Sequence, residues 1–319
     1  QKCWRFDSTI KKNARIWVGF YLARARPNSK ERKVMSSFFT YTKKQSIEIL
    51  AVGCFDAFHL GHKELLKHLS HENSALLIID KFQKDRLVPK EKMNEFSEFD
   101  LIFVDFESIK NLSATEFLAH LQAEFTKLKT LVVGEDFRFG KDRGAGAKDI
   151  EKLSSLKAII VPDFEFKGIS VHSKIIKELL LQGDIERANA LLGRAYAVCG
   201  ILIHGQGIGA KELVATLNLD TKNYFLPKNG VWASLCKIAG QIFHSVSFIG
   251  LRSTDGKFSV ESHILDEKFA EFKLKKNEKI TLIFKKFLRE NRRFDDLNSL
   301  KMQIQKDCEN ARKILKETQ

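Results

Sequence analysis

The stretch Ala51–Ser70, AVGCFDAFHLGHKELLKHLS, joins two kinds of patterning. It begins inside IEILAV, a compact apolar run that reads as a buried strand, and ends in KELLKHL, whose apolar residues have helical spacing. In an open parallel sheet, ligands bind beyond the carboxyl ends of the strands, where helix N-termini present backbone N–H groups. His59 and His62 fall at such a junction. Gly61 between them leaves room for a ligand to approach the backbone. Two imidazoles there can donate hydrogen bonds to phosphate oxygens while negative charge builds on a phosphorus in transit. The chemistry this points to is displacement at a nucleotide α-phosphate. A bare HxGH fits a turn with one capping histidine equally well.

Working outward, strand and helix alternate as far as about Ile185. SALLIID, FDLIFVDF, LKTLVVG and KAIIVPDF read as further strands. SATEFLAHLQAEF reads as a helix with Ser113 as its N-cap, and GAKDIEKLSSL as another helix. The alternation predicts a doubly wound parallel sheet. After Gly193 the pattern changes. AYAVCGILIHG, GVWASLCKI, QIFHSVSFIG, KFSVESHIL and EKITLIFKKFL read as strands separated by Gly/Asn/Asp turns, which predicts an antiparallel sandwich or small barrel. A last helix follows, with Leu297, Leu300, Ile304, Cys308 and Ala311 on one stripe, expected to pack on the barrel. The hinge between the halves is placed near LLQGDIERANALLGR.

The 319 residues suit two domains, and an apolar content of 44% lets each bury a core. Net charge is +14, yet residues 1–34 hold ten Lys/Arg against two Asp/Glu, so more than half of the excess lies in the first tenth of the chain. That segment begins with Gln, precedes the first methionine, Met35, and has no apolar run long enough to span a bilayer. It is expected to be extraneous to the folded body, with a functional basic tail as the alternative. The body has only modest excess charge and no aromatic–basic signature, so neither a nucleic acid nor a membrane is expected as partner. Cys3, Cys54, Cys199, Cys236 and Cys308 are scattered and lack CxxC spacing, which fits a reducing, cytoplasmic location. Oligomeric state is left open.

GCFDAFHLGHKELL resembles the Gly-x-Phe-Asp-x-x-His-x-Gly-His signature of the nucleotidylyltransferase superfamily, and VVGEDFRFGKDRGAG is similar to the Asp/Asn-Phe-x-Phe-Gly loop of its FMN adenylyltransferase branch. SVHSKIIKELLLQGDIERANALLGR looks like that module's closing helix and linker. The resemblance, over about residues 47–315, is to the prokaryotic bifunctional riboflavin kinase/FAD synthetase family. It implies domains at 35–185 (FMN adenylyltransferase) and 186–319 (riboflavin kinase). It also implies ATP as co-substrate, Mg²⁺, and riboflavin, FMN and FAD as substrates and products. His59 and His62 become catalytic residues. Gly53, Phe55, Asp56 and Gly61 become ATP contacts, and Asp136, Phe137 and Arg138 become flavin contacts, although Asp136 suits a turn equally well and Arg138 is more often solvated. The family's Ile-Ser-Ser-Thr-x-Ile-Arg motif falls on Val171–Lys177. Ser173 and Lys177 are then phosphate contacts, with Lys177 in place of Arg, a point charge without the bidentate fork; a two-residue shift would put Ser170 in play.

In the second half, GILIHGQGIGAKELVATLNL (Gly200–Leu219) aligns with the family's Gly-rich loop and Pro-Thr-Ala-Asn signature. Gly205, Gly207 and Gly209 would wrap phosphates. Thr216 and Asn218 would hold Mg²⁺–ATP through hard oxygen donors. Ala210, Leu213, Val214 and Ala215 depart from the pattern. KFSVESHILD resembles the Val-Glu-x-His-x-x-Asp strand and places Glu261 on the catalytic base. SFIGLRST keeps Arg252 as a flavin contact, with Phe248 and Ser253 as departures. On pattern alone, Glu261 would be a solvent-facing strand residue. Two rivals stay open: a nucleotidylyltransferase for another phosphorylated acceptor with a non-catalytic barrel, and a basic binding protein acting through the N-terminal segment.

Overall fold

The computed structural model describes residues 46–81, 84–203, 216–252, 256–275 and 277–317. The basic segment 1–34 and Gly205, Gly207 and Gly209 lie outside the described residues.

The first half is a five-stranded sheet of β1 (Ile49–Gly53), β2 (Ser74–Asp80), β3 (Asp100–Asp105), β4 (Thr130–Gly134) and β7 (Lys157–Val161). The order is β3-β2-β1-β4-β7 and every pair is parallel. The strand runs do not alternate with polar residues because both faces are covered. Leu50, Val52, Leu77, Leu131 and Val133 pack against Phe117, Leu118 and Leu121 of α3 (Ala114–Glu124). Ala51, Leu76, Ile78 and Val132 pack on the other side with Phe55, Phe58 and Met93. Ser113 caps α3 as expected, in a reciprocal capping box with Glu116. The chain builds outward from β1 to β3 and then crosses to β4 on the far side of β1. The topological switch point, where such sheets bind ligands, therefore lies between β1 and β4. α1 (Leu60–Leu66) follows β1, and the single turn α2 (Phe106–Ile109) follows β3. Two ribbons, β5 (Arg138–Phe139) with β6 (Ala145–Gly146) and β8 (Glu165–Phe166) with β9 (Ile169–Ser170), decorate the carboxyl edge.

Two expectations change here. GAKDIEKLSSL forms a 3-10 turn at Ala147–Asp149 and then one helical turn, α4 (Ile150–Leu153), which Ser154 ends in extended backbone. The stretch read as a hinge is a packed helix pair, α5 (Ser173–Gln182) and α6 (Ile185–Leu192), joined at Gly183 in the left-handed region (φ 85°) with Asp184 capping α6.

The second half is a closed antiparallel barrel in the order β10-β11-β14-β13-β12-β15. Its strands are β10 (Ala197–Ile203), β11 (Leu217–Asp220), β12 (Gly230–Ile238), β13 (Gln241–Leu251), β14 (Phe258–Ile264) and β15 (Lys279–Arg289). Trp232, Phe243, Ile249, Val260 and Phe284 point inward. So do Ser234, Ser245, Ser247 and Ser262, which satisfy one another through hydroxyl contacts of 2.7–3.1 Å. The C-terminal helix, Leu297–Glu317, lays Cys308, Ala311 and Leu315 on Ala233, Leu235 and Val246 of the outer barrel wall. Leu297, expected on that stripe, is 50% exposed, because the contact begins a turn or two later.

The two halves share one core. Ala57, Leu87, Val171, Ile176 and Leu180 are continuous with Leu192 of α6 and with Tyr196, Trp232 and Phe243 of the barrel. Backbone bonds between Arg86 and Asn223 (3.0 Å) and between Phe225 and Arg86 (2.7 Å) fasten the same seam. Among the described residues no helix is long and apolar enough to cross a membrane.

Candidate active sites

The first candidate site is built on the loop between β1 and α1. Phe55, Ala57 and Phe58 all have positive φ (47°, 87° and 48°), a cluster of left-handed non-glycine residues that persists only where packing enforces it. The enforcement is burial: all three sit in the core. Gly53 permits it, since a Cβ there would lie 3.2 Å from the Phe55 ring. Gly61 is also required by packing. A Cβ at that position would meet the Val171 carbonyl oxygen at 3.0 Å, so the glycine lets β1–α1 and the entry to α5 close on one another.

His59 is the N-cap of α1, and its Nδ1 accepts the His62 N–H at 3.2 Å. An Nδ1 that accepts leaves the proton of the neutral ring on Nε2, so Nε2–H is the donor available outward. The two imidazoles stack, with centroids 3.6 Å apart and planes 17° apart, and Phe55 lies 5.0 Å from the other side of His62. His59 is 5% exposed. His62 is half-buried, with its Nδ1 fully enclosed and without a hydrogen-bond partner among the described residues. Burial, and then the neighbouring His172 and Arg194, push the His59 pKa down to about 3. Burial and His59 push His62 well below the ordinary imidazole range. Both rings are neutral at pH 7, suited to donate hydrogen bonds rather than to carry charge.

α5 brings the second motif to this loop. Ser173 Oγ donates to the Asp56 carbonyl at 2.6 Å. Asp56 is buried; its Oδ1 accepts from Leu87 N at 2.8 Å, and its Oδ2 lies 2.9 Å from Lys177 Nζ. Lys177 also donates to the Asp85 carbonyl at 2.8 Å. The predicted Gly53, Phe55, Asp56, His59, Gly61, His62, Ser173 and Lys177 are thus brought together. Asp136, Phe137 and Arg138 lie just beyond β4, across the switch point from β1. Asp136 folds back over Gly134, Phe137 stacks on Phe139 (5.5 Å), and Arg138 is exposed.

Sequence reasoning missed three neighbours. His172, within the stretch aligned with the family motif, pairs with Asp163 (Nε2–Oδ1 3.2 Å), and Ser170 donates to the other oxygen of Asp163. Arg194, just past α6, reaches the Phe58 carbonyl. No spacing rule links these positions to the HxGH motif; a packed helix pair does.

The second candidate site lies on the outer wall of the barrel. Leu217, Leu219, Val260 and Ser262 point inward, so their alternates Asn218 and Glu261, direct partners across β11–β14, point outward. Thr216 Oγ1 donates to Glu261 Oε2 at 3.3 Å, and Arg252 Nη1 lies 3.4 Å from Oε1. Thr216, Asn218, Arg252 and Glu261 therefore converge from three segments. The Glu261 side chain is 17% exposed, far from the freely solvated residue that strand alternation alone allows. Phe248 lies opposite Glu261 on β13. Among the described residues no cluster of three His, Cys, Asp or Glu suits a metal, so a cation here would rest on neutral oxygens and on its nucleotide.

Two family models divide the chain: FAD synthetase matches residues 41–175 and riboflavin kinase residues 192–315. The class is therefore a nucleotidyl-transfer half followed by a kinase half. The bifunctional riboflavin kinase/FMN adenylyltransferase of Buchnera aphidicola (from Schizaphis graminum) is 30% identical over 88% of this chain and 98% of its own length. That of Pseudomonas fluorescens is 28% identical over 83% and 92%. A crystal structure described as a macrolide-efflux protein from Streptococcus pneumoniae matches in fold, with a TM-score of 0.70 and 24% identity over 84% of this chain and 94% of that one. The chain belongs to the bifunctional riboflavin kinase/FMN adenylyltransferase family.

Proposed function

We propose that this chain converts riboflavin to FMN at the barrel and FMN to FAD at the sheet, using ATP in both steps, with the domains divided as 35–185 and 186–319. The observation that carries the reading is the convergence of the two motif halves, Phe55–His62 and Ser173–Lys177, beside the β1–β4 switch point. In the adenylyl transfer, an FMN phosphate oxygen attacks the α-phosphorus of ATP. The bond from that phosphorus to the bridging oxygen breaks, and pyrophosphate leaves. His59 and His62 donate hydrogen bonds to the oxygens on which charge accumulates, and no protein nucleophile is required. Asp136 and Phe137 line the flavin side.

At the barrel, Glu261 takes the proton of the ribityl 5′-hydroxyl as that oxygen attacks the γ-phosphorus, and ADP leaves. Arg252 and Thr216 orient the carboxylate. The Thr216 hydroxyl and Asn218 amide oxygen suit Mg²⁺ bound with the nucleotide, which neutralises phosphate charge. The reaction is placed in the cytoplasm.

The test supplies riboflavin, and separately FMN, with Mg²⁺–ATP. His62→Ala should lower FAD formation about 10²-fold, the scale of one lost transition-state donor, while FMN formation persists. Glu261→Gln should stop FMN formation and spare FAD formation from FMN. Equal loss of both activities in either variant overturns the separation of the sites. A wild-type chain that makes FAD from FMN but leaves riboflavin untouched means the barrel is not catalytic.

A further inference from the structure

We propose that Arg194 binds the pyrophosphate end of the adenylyl donor, so that the nucleotidyl-transfer site is completed by a residue from the stretch matched by the riboflavin kinase model. The proposal rests on the reading of the first site as an adenylyltransferase centre.

The placement follows from packing. Gly193 ends α6 in the left-handed region (φ 66°), and a Cβ there would lie 2.5 Å from Leu60 Cδ2. The chain leaving α6 therefore runs directly against the first turn of α1. That brings residue 194 to the strained loop ending at Phe58, next to His59. The Arg194 Nη1 is 3.5 Å from the carbonyl oxygens of Phe58 and Leu192, and its Cζ sits 4.5 Å from the centroid of the Phe96 ring. Both hydrogen bonds are at the outer limit of the interaction, and a guanidinium has five N–H donors to satisfy.

No carboxylate lies within 4 Å of Arg194 among the described residues, and two of the other cations near this seam are committed. Lys177 is held by Asp56 and the Asp85 carbonyl, and Arg86 by Asp80. A half-buried guanidinium without an anion is an expensive arrangement unless an anion arrives. Consistent with that, burial draws its pKa down to about 10, and its charge is felt by both His59 and His62. A fork with open donors beside two imidazoles that donate is the arrangement that grips a diphosphate bidentately.

The reverse reaction isolates this contact, because only the adenylyl-transfer site converts FAD and pyrophosphate to FMN and ATP. With inorganic pyrophosphate as the probe, Arg194→Ala should raise its KM at least tenfold. Arg194→Lys should recover part of that loss and Arg194→Gln none, while riboflavin phosphorylation and the thermal midpoint stay near wild type. Should the alanine variant fail to fold, the Lys–Gln difference in KM carries the same test. An unchanged pyrophosphate KM in Arg194→Ala, or equal KM values for Lys and Gln, overturns the proposal. If His62→Ala also leaves both directions at wild-type rates, the adenylyltransferase reading fails. If His62→Ala is crippled while Arg194→Ala keeps its KM, this proposal fails alone.

Discussion

His59 combines two duties that compete for one ring. Its Nδ1 is spent on the His62 N–H, and the burial that makes this cap strong also removes the ring from water. The consequence is a pH dependence of stability. The unfolded ring takes up a proton near pH 6.5, whereas the folded ring resists protonation until about pH 3. Between those values the unfolded chain binds more protons, so stability present above pH 6.5 is lost as pH falls toward 3. His62, displaced in the same direction, adds to the loss. The thermal midpoint should therefore fall through this window, and His59→Gln should fall less steeply than wild type even if it starts lower. Identical slopes in the two proteins would contradict the assignment. The histidines were legible in the sequence, because strand, glycine and helix surround them. Their stacking and the tautomer were not, because both depend on the Phe55–Phe58 loop folding back beneath them.

At the scale of elements, the C-terminal helix shows how a polar residue can specify a helix docking. Asp307 is 3% exposed on the barrel-facing side of that helix. Arg289 Nε lies 3.0 Å from both of its carboxylate oxygens, Arg289 Nη2 lies 2.7 Å from Oδ2, and Gln303 donates to Oδ1 at 2.7 Å. Removing one partner leaves an unpaired charge in a poorly hydrated site. Asp307→Ala should therefore lower unfolding free energy by up to about 3 kcal/mol, read from the urea midpoint, with both activities retained at low temperature. A loss below about 0.5 kcal/mol would put the pair in the class of surface ion pairs. The apolar stripe announced this helix, but not the burial of Asp307, whose charge sorts it to solvent although its spacing from Leu300, Ile304 and Ala311 sets it at the edge of that stripe. β11 escaped the strand reading for a related reason. Its four residues carry only Leu217 and Leu219 as inward apolar positions, and it is the barrel's closure, with β10 on one side and β14 on the other, that makes it a strand.

For the whole molecule, the shared core predicts cooperativity. A boundary with its own linker would give each half a separate transition. Here Leu180, Leu192, Tyr196 and Trp232 belong to one buried cluster, and the Tyr196 hydroxyl donates to the Phe225 carbonyl across it. Calorimetry of the whole chain should show one transition with matching calorimetric and van't Hoff enthalpies. Two resolved transitions would mean the halves are thermodynamically independent. The same seam explains how a residue after α6 reaches a loop that precedes α1 by way of space rather than sequence.

What the chain's own order of residues determined is local. Apolar runs without alternation demanded a sheet covered on both faces, Ser113 marked a helix start, and HxGH at a strand–helix junction pointed to a candidate ligand loop. Such signals survive in one dimension because their causes act over a few residues. The tertiary structure alone decided that Ser173 and Lys177 close on Asp56, that Glu261 sits between Thr216 and Arg252, and that Arg194 stands beside the two imidazoles. Most of those neighbours lie tens of residues apart or more, Arg252 and Glu261 nine, and only strand pairing in the barrel and the burial of one continuous core bring them together.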